Sequence, residues 1–182
     1  MEQKSWNIDS THSGVHFSVR HLVVAKVRGR FSTFNGKVEL DEADLTRSRV
    51  EVEIDAASID TGVADRDKHL RSPDFFDVAS FPKLTFKSSR VESSGKGRYR
   101  VYGDLTIRDV TREVALEVEY GGLAKDPWGN QRAAFAATTS VERSDFGLKW
   151  NQALEAGGVL VGERVDIELE VEVVKAAATQ AA

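Results

Sequence analysis

The sequence contains no cysteine among its 182 residues. A disulfide framework and a thiolate metal site are therefore both excluded. No apolar run approaches the roughly 18 residues that a membrane-spanning helix requires, so no transmembrane segment is predicted. The N-terminal residues 1–6 also lack the apolar centre of a secretion signal. These absences together lead us to expect a cytoplasmic protein.

An excess of positive charge is also absent, because the formal net charge is -4 at pH 7. A nucleic-acid binder needs a concentrated positive face, so no nucleic-acid partner is predicted. The hydrophobic content of 41% and the charged content of 30% are ordinary for a globular protein. The length fits one well-filled domain, which we place at residues 1–175. Residues 176–182 have no strand pattern and are predicted to be a disordered tail.

Sequence motifs for catalysis are missing as well. There is no G-x-S-x-G elbow, no phosphate-binding loop and no dinucleotide fingerprint. His12 and His16 are four residues apart, but His16 lies in an alternating strand pattern. Such positions on a strand are about 13 Å apart, too far to share one metal ion. We therefore predict no catalytic residue, no metal site and no cofactor.

The dominant feature of the sequence is a two-residue alternation of apolar and polar side chains, which is typical of half-buried β-strands. It recurs along nearly the whole chain, in residues 15–19, 27–40, 50–54, 84–86, 99–107, 114–120 and 165–173. Together with the segment 133–137, this pattern predicts about eight antiparallel strands, closed as a sandwich or as a barrel. The pair Asn35-Gly36 is interpreted as a bulge within one long strand rather than as a hairpin turn.

The segment Ala133–Ala137 bears on whether such a barrel is filled or hollow. It carries small residues on both faces, with Phe135 at its centre. Small side chains leave a volume that a ligand occupies in a hollow barrel and that bulky neighbours fill in a closed core. Both interpretations stay open at this point.

One dense interruption breaks the strand pattern between the turn at residues 58–62 and the pair Phe75-Phe76. Residues Val63–Arg71 are predicted to form a short helix, with acidic residues early and Arg71 in its last turn. Ser72 and Pro73 have the residue types of an N-cap and a first helical position, which predicts a second helical turn. We interpret the interruption as a helix that caps one end of the barrel, with the two Phe residues as its plug.

A second interruption follows at residues 144–151. Phe146 and Trp150 are four residues apart and would share one face of a helical turn. Elsewhere, His21 has the same parity as Val15, Phe17 and Val19, which places it on an apolar face. A histidine there is commonly a hydrogen-bonded core residue, and contact with a polar ligand head group is the alternative.

These motifs resemble, in order, those of the YceI-like family. The resemblance rests on Trp6-x-Ile8-Asp9 with His12-Ser13, Phe17-x-Val19-x-His21, Gly29-x-Phe31-x-x-Phe34-x-Gly36, Ser58-Ile59-Asp60-Thr61-Gly62, Arg66-Asp67-x-His69-Leu70, Asp74-Phe75-Phe76-Asp77, Phe81-Pro82, Thr85-Phe86, Gly103-x-Leu105-Thr106-Ile107 and Arg143-Ser144-Asp145-Phe146-Gly147-Leu148. It spans Trp6 to about Val173.

The resemblance implies an all-β fold, an extended eight-stranded antiparallel lipocalin-like β-barrel with short capping helices. It also implies a homodimer that binds a long isoprenoid chain or a similar amphiphilic lipid in its interior, with no established reaction. Many relatives are exported to the periplasm, whereas this N-terminus lacks a signal. The residues expected to line the lipid tail are Phe17, Val19, Phe31, Phe135, Phe146 and Trp150, and His21 is expected at its polar end.

The main hypothesis is therefore a carrier or store of an isoprenoid-type lipid. Two rivals remain at this point. One is an interaction or structural protein whose barrel is filled, and the other is an enzyme that acts on the bound lipid.

Overall fold

The computed structural model describes residues 4–177. That part of the chain contains eleven strand segments, one α-helix and three short 3₁₀ helices. The strands are β1 Lys4–Ile8, β2 Gly14–His21, β3 Ala25–Phe31, β4 Phe34–Leu40, β5 Arg49–Asp55, β6 Ile59–Asp60, β7 Lys83–Gly95, β8 Arg98–Ile107, β9 Val110–Lys125, β10 Gln131–Glu142 and β11 Val161–Lys175. Helix α1 is Ala64–Arg71, and the 3₁₀ helices are Leu45–Arg47, Ala56–Ser58 and Arg143–Phe146.

The segments combine into a closed antiparallel barrel of eight strands. β1 and β2 lie end to end along β11, and β4 and β3 lie end to end along β1 and β2. β5 and β6 continue the same arrangement, followed by β7, β8, β9, β10 and β11 in order. The pairing of β11 with β1 closes the ring. The predicted eight-stranded barrel is confirmed.

The predicted bulge at Asn35-Gly36 is wrong. These two residues pair in register with Glu53 and Val52, inside the regular strand β4. The long strand is instead interrupted at residues 32–33, between β3 and β4. Gly36 is needed for close packing, since a Cβ atom there would lie 2.6 Å from the backbone carbonyl oxygen of Glu51 and 2.7 Å from Cδ1 of Ile8.

The buried apolar side chains form two clusters. The smaller one is built around Trp6, Leu40 and Val173, which are almost completely buried. The larger one includes Phe75 and Phe146 and extends from the capping elements into the barrel. The strands alternate as predicted, so that each contributes one apolar face to the interior.

Helix α1 is found where it was predicted, beginning one residue later, at Ala64. The buried carboxylate of Asp67 accepts hydrogen bonds from the backbone N–H and the hydroxyl of Thr61, which ties the helix to the preceding turn. Arg71 donates to the carbonyl oxygens of Ala57 and Ile59, at 2.9 and 3.0 Å. These bonds fix the helix on β6.

The turn predicted after Ser72 forms, with the Ser72 hydroxyl oxygen accepting from the N–H of Asp74 at 3.3 Å as an N-cap does, but it is not helical. Residues 73–76 form turns, in which the carbonyl of Ser72 accepts from the N–H groups of Phe75 and Asp77. The shared helical face of Phe146 and Trp150 is also wrong. The 3₁₀ helix ends at Phe146 because Gly147 adopts a left-handed conformation with φ of 79°.

At the C-terminus, the backbone N–H of Ala176 still donates to the carbonyl of Ser5, at 2.9 Å. The rest of the predicted disordered tail, residues 178–182, lies outside the described residues. No helix within residues 4–177 is both long enough and apolar enough to span a bilayer.

Candidate ligand-binding cavity

The barrel encloses a cavity of about 620 Å³. This volume lies within the roughly 300–1,000 Å³ of small-molecule sites and far exceeds an ordinary packing void. Strand β10 shows how the space arises. Phe135 and the buried Ala137 line the cavity, while Ala134 and Ala136 face outwards. Between the two interpretations of residues 133–137, the structure favours the hollow barrel.

All of the residues predicted to contact a ligand lie on the cavity lining: Phe17, Val19, His21, Phe31, Phe135, Phe146 and Trp150. Strands β2, β3 and β10 position the first five by simple alternation. Phe146 reaches the cavity from the 3₁₀ helix, and Trp150 reaches it from the irregular segment that follows. Their contact with a ligand stays a prediction.

Aromatic side chains pack in a continuous group beneath the cap. Phe31 lies 5.7 Å from Phe17 and 5.7 Å from Phe76, measured between ring centroids. The last of these contacts is edge to face, an arrangement that aromatic pairs prefer. The group joins the barrel wall to the segment after α1, so the capping segment is part of the cavity wall.

Trp150 extends this aromatic surface to the other capping segment. Its indole lies 4.6 Å from the His69 ring and 5.4 Å from the Phe75 ring, between centroids. His69 belongs to α1, and its Nε2 is 2.8 Å from Oδ2 of Asp74. The two interruptions of the strand pattern therefore meet over the same end of the cavity.

Polar side chains border the cavity at this end. The rim residues, as we call them, are His21, Thr61, Asp65, Arg66 and His69. Arg66 is oriented by Thr61, whose hydroxyl and carbonyl oxygens accept its hydrogen bonds at 2.7 and 2.9 Å. The exposed side chain of Asp65 shows that the cavity reaches the surface here. The rim can hold a polar head group while the apolar interior holds a tail.

Sequence reasoning found His21 and missed the other rim residues. The acidic residues early in α1 and Arg71 in its last turn were explained by their favourable interaction with the helix dipole. That interaction does not show which side of the helix faces the cavity. The motif Arg66-Asp67-x-His69 was itself visible in the sequence. Asp67 is buried and hydrogen-bonded to Thr61. Its neighbours Arg66 and His69 border the cavity.

Arg143 is a buried cation that organises the segment around Trp150, with only 4% of its surface exposed. Its guanidinium donates to the carbonyl oxygens of Leu148, Trp150 and Gly162, at 2.7, 2.9 and 2.8 Å. Burial lowers the pKa of Arg143, and the nearby carboxylate of Glu163 opposes that shift. Arg143 touches the cavity lining, but these bonds give it a structural role.

The opposite end of the barrel carries a second polar cluster. Ligand atoms of Asp9, His12 and Glu172 lie within 4.8 Å of one another, as in many metal sites. Arg132 already binds this cluster, since its Nη1 donates to Asp9 at 2.7 Å and to Glu172 at 2.6 Å. Hydrogen bonds from Arg132 and His12 hold the pKa of Asp9 well below its usual range. Asp9, His12 and Glu172 are thus already engaged in an ion-pair network with Arg132.

The comparison with protein families decides the identity of this barrel. The model of the YceI-like domain matches residues 6–173. The chain belongs to the YceI-like family. A UPF0312 protein of Vibrio parahaemolyticus is 40% identical to this chain over 166 residues. The aligned region covers 90% of this chain and 82% of the Vibrio protein.

Two solved structures share the fold of this YceI-like protein. Burkholderia cenocepacia BcnA has a TM-score of 0.78 at 24% identity, with 91% of this chain and 98% of that chain covered. A polyisoprenoid binding domain from Saccharophagus degradans has a TM-score of 0.73 at 15% identity, with 95% and 99% covered. At these identities the likeness establishes the architecture alone.

Proposed function

We propose that this YceI-like protein binds a long-chain isoprenoid or a similar amphiphilic lipid inside its barrel, as a carrier or store. The observation that carries the proposal is the cavity of about 620 Å³, lined mainly by apolar side chains and bordered by polar ones at its capped end. A site of this kind is complementary to a molecule with a long apolar tail and one polar end.

The apolar lining supplies the driving force. Each buried methylene contributes about 0.8 kcal/mol, so a dozen of them offset the cost of immobilising the molecule. Phe17, Phe31 and Phe135 present rings to such a tail. Shape and apolar surface then decide affinity, so tails of similar length are expected to bind alike.

The rim supplies the polar contacts. His21 and Arg66 carry nitrogen donors suited to the oxygens of a pyrophosphate or a quinone. A structural neighbour described as a polyisoprenoid binding domain supports the same ligand class. Binding without turnover is part of the proposal.

The experiment is native mass spectrometry of the purified protein, followed by organic extraction and identification of the released molecule. We expect a mass increment that disappears on extraction and that returns when a prenyl alcohol is added. Recovery of nothing apolar, together with no uptake of prenyl chains, contradicts the proposal. Recovery of a chemically altered chain supports an enzyme instead.

The same spectra give the oligomeric state of the protein. A homodimer is part of the proposal, and a mass of one chain at micromolar concentration contradicts it. A cytoplasmic location is a further part, and cell fractionation with an antibody against the native protein tests it.

A further inference from the structure

The turn between β2 and β3 carries three consecutive exposed aliphatic side chains. Leu22 is 50% exposed, Val23 is 64% exposed and Val24 is 83% exposed. Single apolar residues on a surface are ordinary, but three in a row in the turn of a hairpin form a contiguous apolar tip. We call residues 22–24 the hairpin tip.

The backbone of the hairpin tip adopts an unusual conformation. Leu22 and Val23 have φ angles of 51° and 69°. The N–H of Val24 donates to the carbonyl of Leu22 at 2.8 Å, which makes Val23 the centre of a γ-turn. Positive φ is costly for a β-branched residue, and glycine or asparagine would relieve it. The turn geometry does not account for aliphatic side chains at these positions.

The strands that support the tip are strongly basic. Strands β2 and β3 contain four Lys and Arg residues, Arg20, Lys26, Arg28 and Arg30, and no Asp or Glu, although the whole chain has a net charge of -4. The rest of the chain therefore has a net charge of -8, which is -4 minus +4. Arg20 and Lys26 are paired neighbours on the outer face, and Arg28 follows on the same face. Within residues 4–177 none of these three has a carboxylate partner within 4 Å.

The hairpin tip is attached to the rim of the cavity. The N–H of Leu22 donates to the carbonyl of Leu160 at 3.0 Å, and His21 pairs with Val161. His21, Leu160 and Val161 all line the cavity. Val159, which precedes Leu160, is itself 46% exposed. The apolar tip, the basic strands and the polar rim thus lie at one end of the barrel.

We propose that the hairpin tip inserts into the surface of a bilayer that contains anionic phospholipid. Aliphatic side chains with flanking cations are the combination that binds such an interface, through apolar burial together with attraction to anionic head groups. Lys26 and Arg28 lie where they would meet the phosphates, and the rim of the cavity would then face the lipid. This docking goes beyond the proposed binding function, because it uses the outer surface and does not depend on the cargo.

The test is sedimentation of the purified protein with vesicles. Vesicles of phosphatidylcholine with about 30% phosphatidylglycerol are compared with vesicles of phosphatidylcholine alone. We expect binding to the anionic vesicles that weakens as NaCl rises from about 0.1 M to about 0.5 M. The triple variant Leu22→Ser, Val23→Ser, Val24→Ser is expected to bind at least about tenfold more weakly. The double variant Lys26→Gln, Arg28→Gln is expected to lose roughly fivefold for each charge.

Matched controls come from the opposite end of the barrel. Leu123 and Trp128, near the turn between β9 and β10, are 49% and 82% exposed. The variant Leu123→Ser, Trp128→Ser should bind vesicles like the unchanged protein. Lys96→Gln with Arg98→Gln removes the same charge at that end and should also have little effect. The triple variant should still take up a prenyl alcohol in vesicle-free solution.

Three outcomes overturn the proposal. One is no binding of the unchanged protein to anionic vesicles. Another is an equal loss in the Leu123 and Trp128 variant. The third is a triple variant that changes the oligomeric state in sedimentation velocity but keeps vesicle binding, which would make the tip a contact between two copies of the chain. Failure of prenyl uptake with intact vesicle binding would overturn the proposed cargo and leave the docking in place.

Discussion

The indole of Trp150 meets the imidazole of His69 edge to face, with ring centroids 4.6 Å apart. His69 belongs to the capping helix, and Trp150 belongs to the segment that Arg143 holds in place. The carboxylate of Asp74, 2.8 Å from Nε2 of His69, fixes the orientation of the imidazole. The closure of this end therefore depends on a contact between side chains of two separate segments.

Replacing His69 with alanine should make the capped end easier to open. The variant loses one of the two ring contacts that Trp150 makes with the cap and keeps the one with Phe75. A contact of this type is worth about 0.5–1.5 kcal/mol, so prenyl uptake and release should both accelerate roughly three- to tenfold. The equilibrium affinity should change less than either rate. Stopped-flow measurement with a fluorescent prenyl analogue reads both rates.

His12 offers a matched control for this variant. Its Nδ1 is also 2.8 Å from an aspartate oxygen, that of Asp9, but it lies outside the cavity lining. His12→Ala should leave both rates unchanged. Unchanged rates in His69→Ala as well would mean that the ligand does not enter past this contact.

Filling the cavity from β10 should reduce binding without unfolding the protein. Ala137 is buried and lines the cavity, so Ala137→Phe places a ring in the space that a tail would occupy. We expect at least about a tenfold loss of prenyl affinity, equal to the burial of roughly two methylenes. The free energy of unfolding of the empty protein should fall by less than about 1 kcal/mol, since the ring enters open space. Isothermal titration and urea unfolding measure the two quantities.

Ala136→Phe is the control, because Ala136 is the next residue and faces outwards. It should change neither quantity appreciably. A filled interior would give the opposite result for Ala137→Phe, namely a loss of about 1–3 kcal/mol of stability from overpacking.

The sequence was sufficient for the strand count and for the faces of most strands. Alternation has a period of two, so it assigns Phe17, Phe31 and Phe135 to the interior once a strand is recognised. It could not show whether the interior is hollow, because that depends on the summed volumes of side chains from all eight strands. The bulge at Asn35-Gly36 was misplaced for a related reason. The need for Gly36 comes from the Glu51 carbonyl oxygen and from Ile8, both on neighbouring strands, which local turn chemistry cannot reveal.

The capping segments were predicted less well than the strands. Helical spacing placed Phe146 and Trp150 on one face, but Gly147 ends the 3₁₀ helix between them. Both residues still reach the cavity, by different routes. The orientation of α1 was also out of reach, since its short sequence is mostly polar and its position depends on Asp67 bonding back to Thr61.

Removing the charge of Arg143 should strongly destabilise the fold. Arg143→Met keeps much of the volume but leaves the carbonyl oxygens of Leu148, Trp150 and Gly162 without their donor. The loss of a buried hydrogen-bonded charge costs about 3 kcal/mol or more. Urea unfolding should show this loss.

Arg164→Met is the control, since Arg164 forms an exposed ion pair with Asp166. This substitution should lower the free energy of unfolding by less than about 1 kcal/mol. An equally small loss in Arg143→Met would contradict the structural role of Arg143.

Removing Arg132 should make the protein unfold at a higher pH. In the folded state, hydrogen bonds from Arg132 and His12 hold the pKa of Asp9 below its usual value near 4. Burial of Asp126 acts to raise its pKa, but bonds from Arg132 and Asn130 outweigh that effect and the net shift is downward. A lowered folded-state pKa gives stability that is present above pH of about 4 and is lost as pH falls through the folded pKa.

The variant Arg132→Gln returns the pKa values of Asp9 and Asp126 towards normal, so this contribution to stability should be absent. We expect the midpoint of acid unfolding, followed by circular dichroism, to rise by about half a pH unit or more. The control Arg164→Gln should leave the midpoint of acid unfolding unchanged. An unchanged midpoint in Arg132→Gln would show that the network does not support the fold in acid.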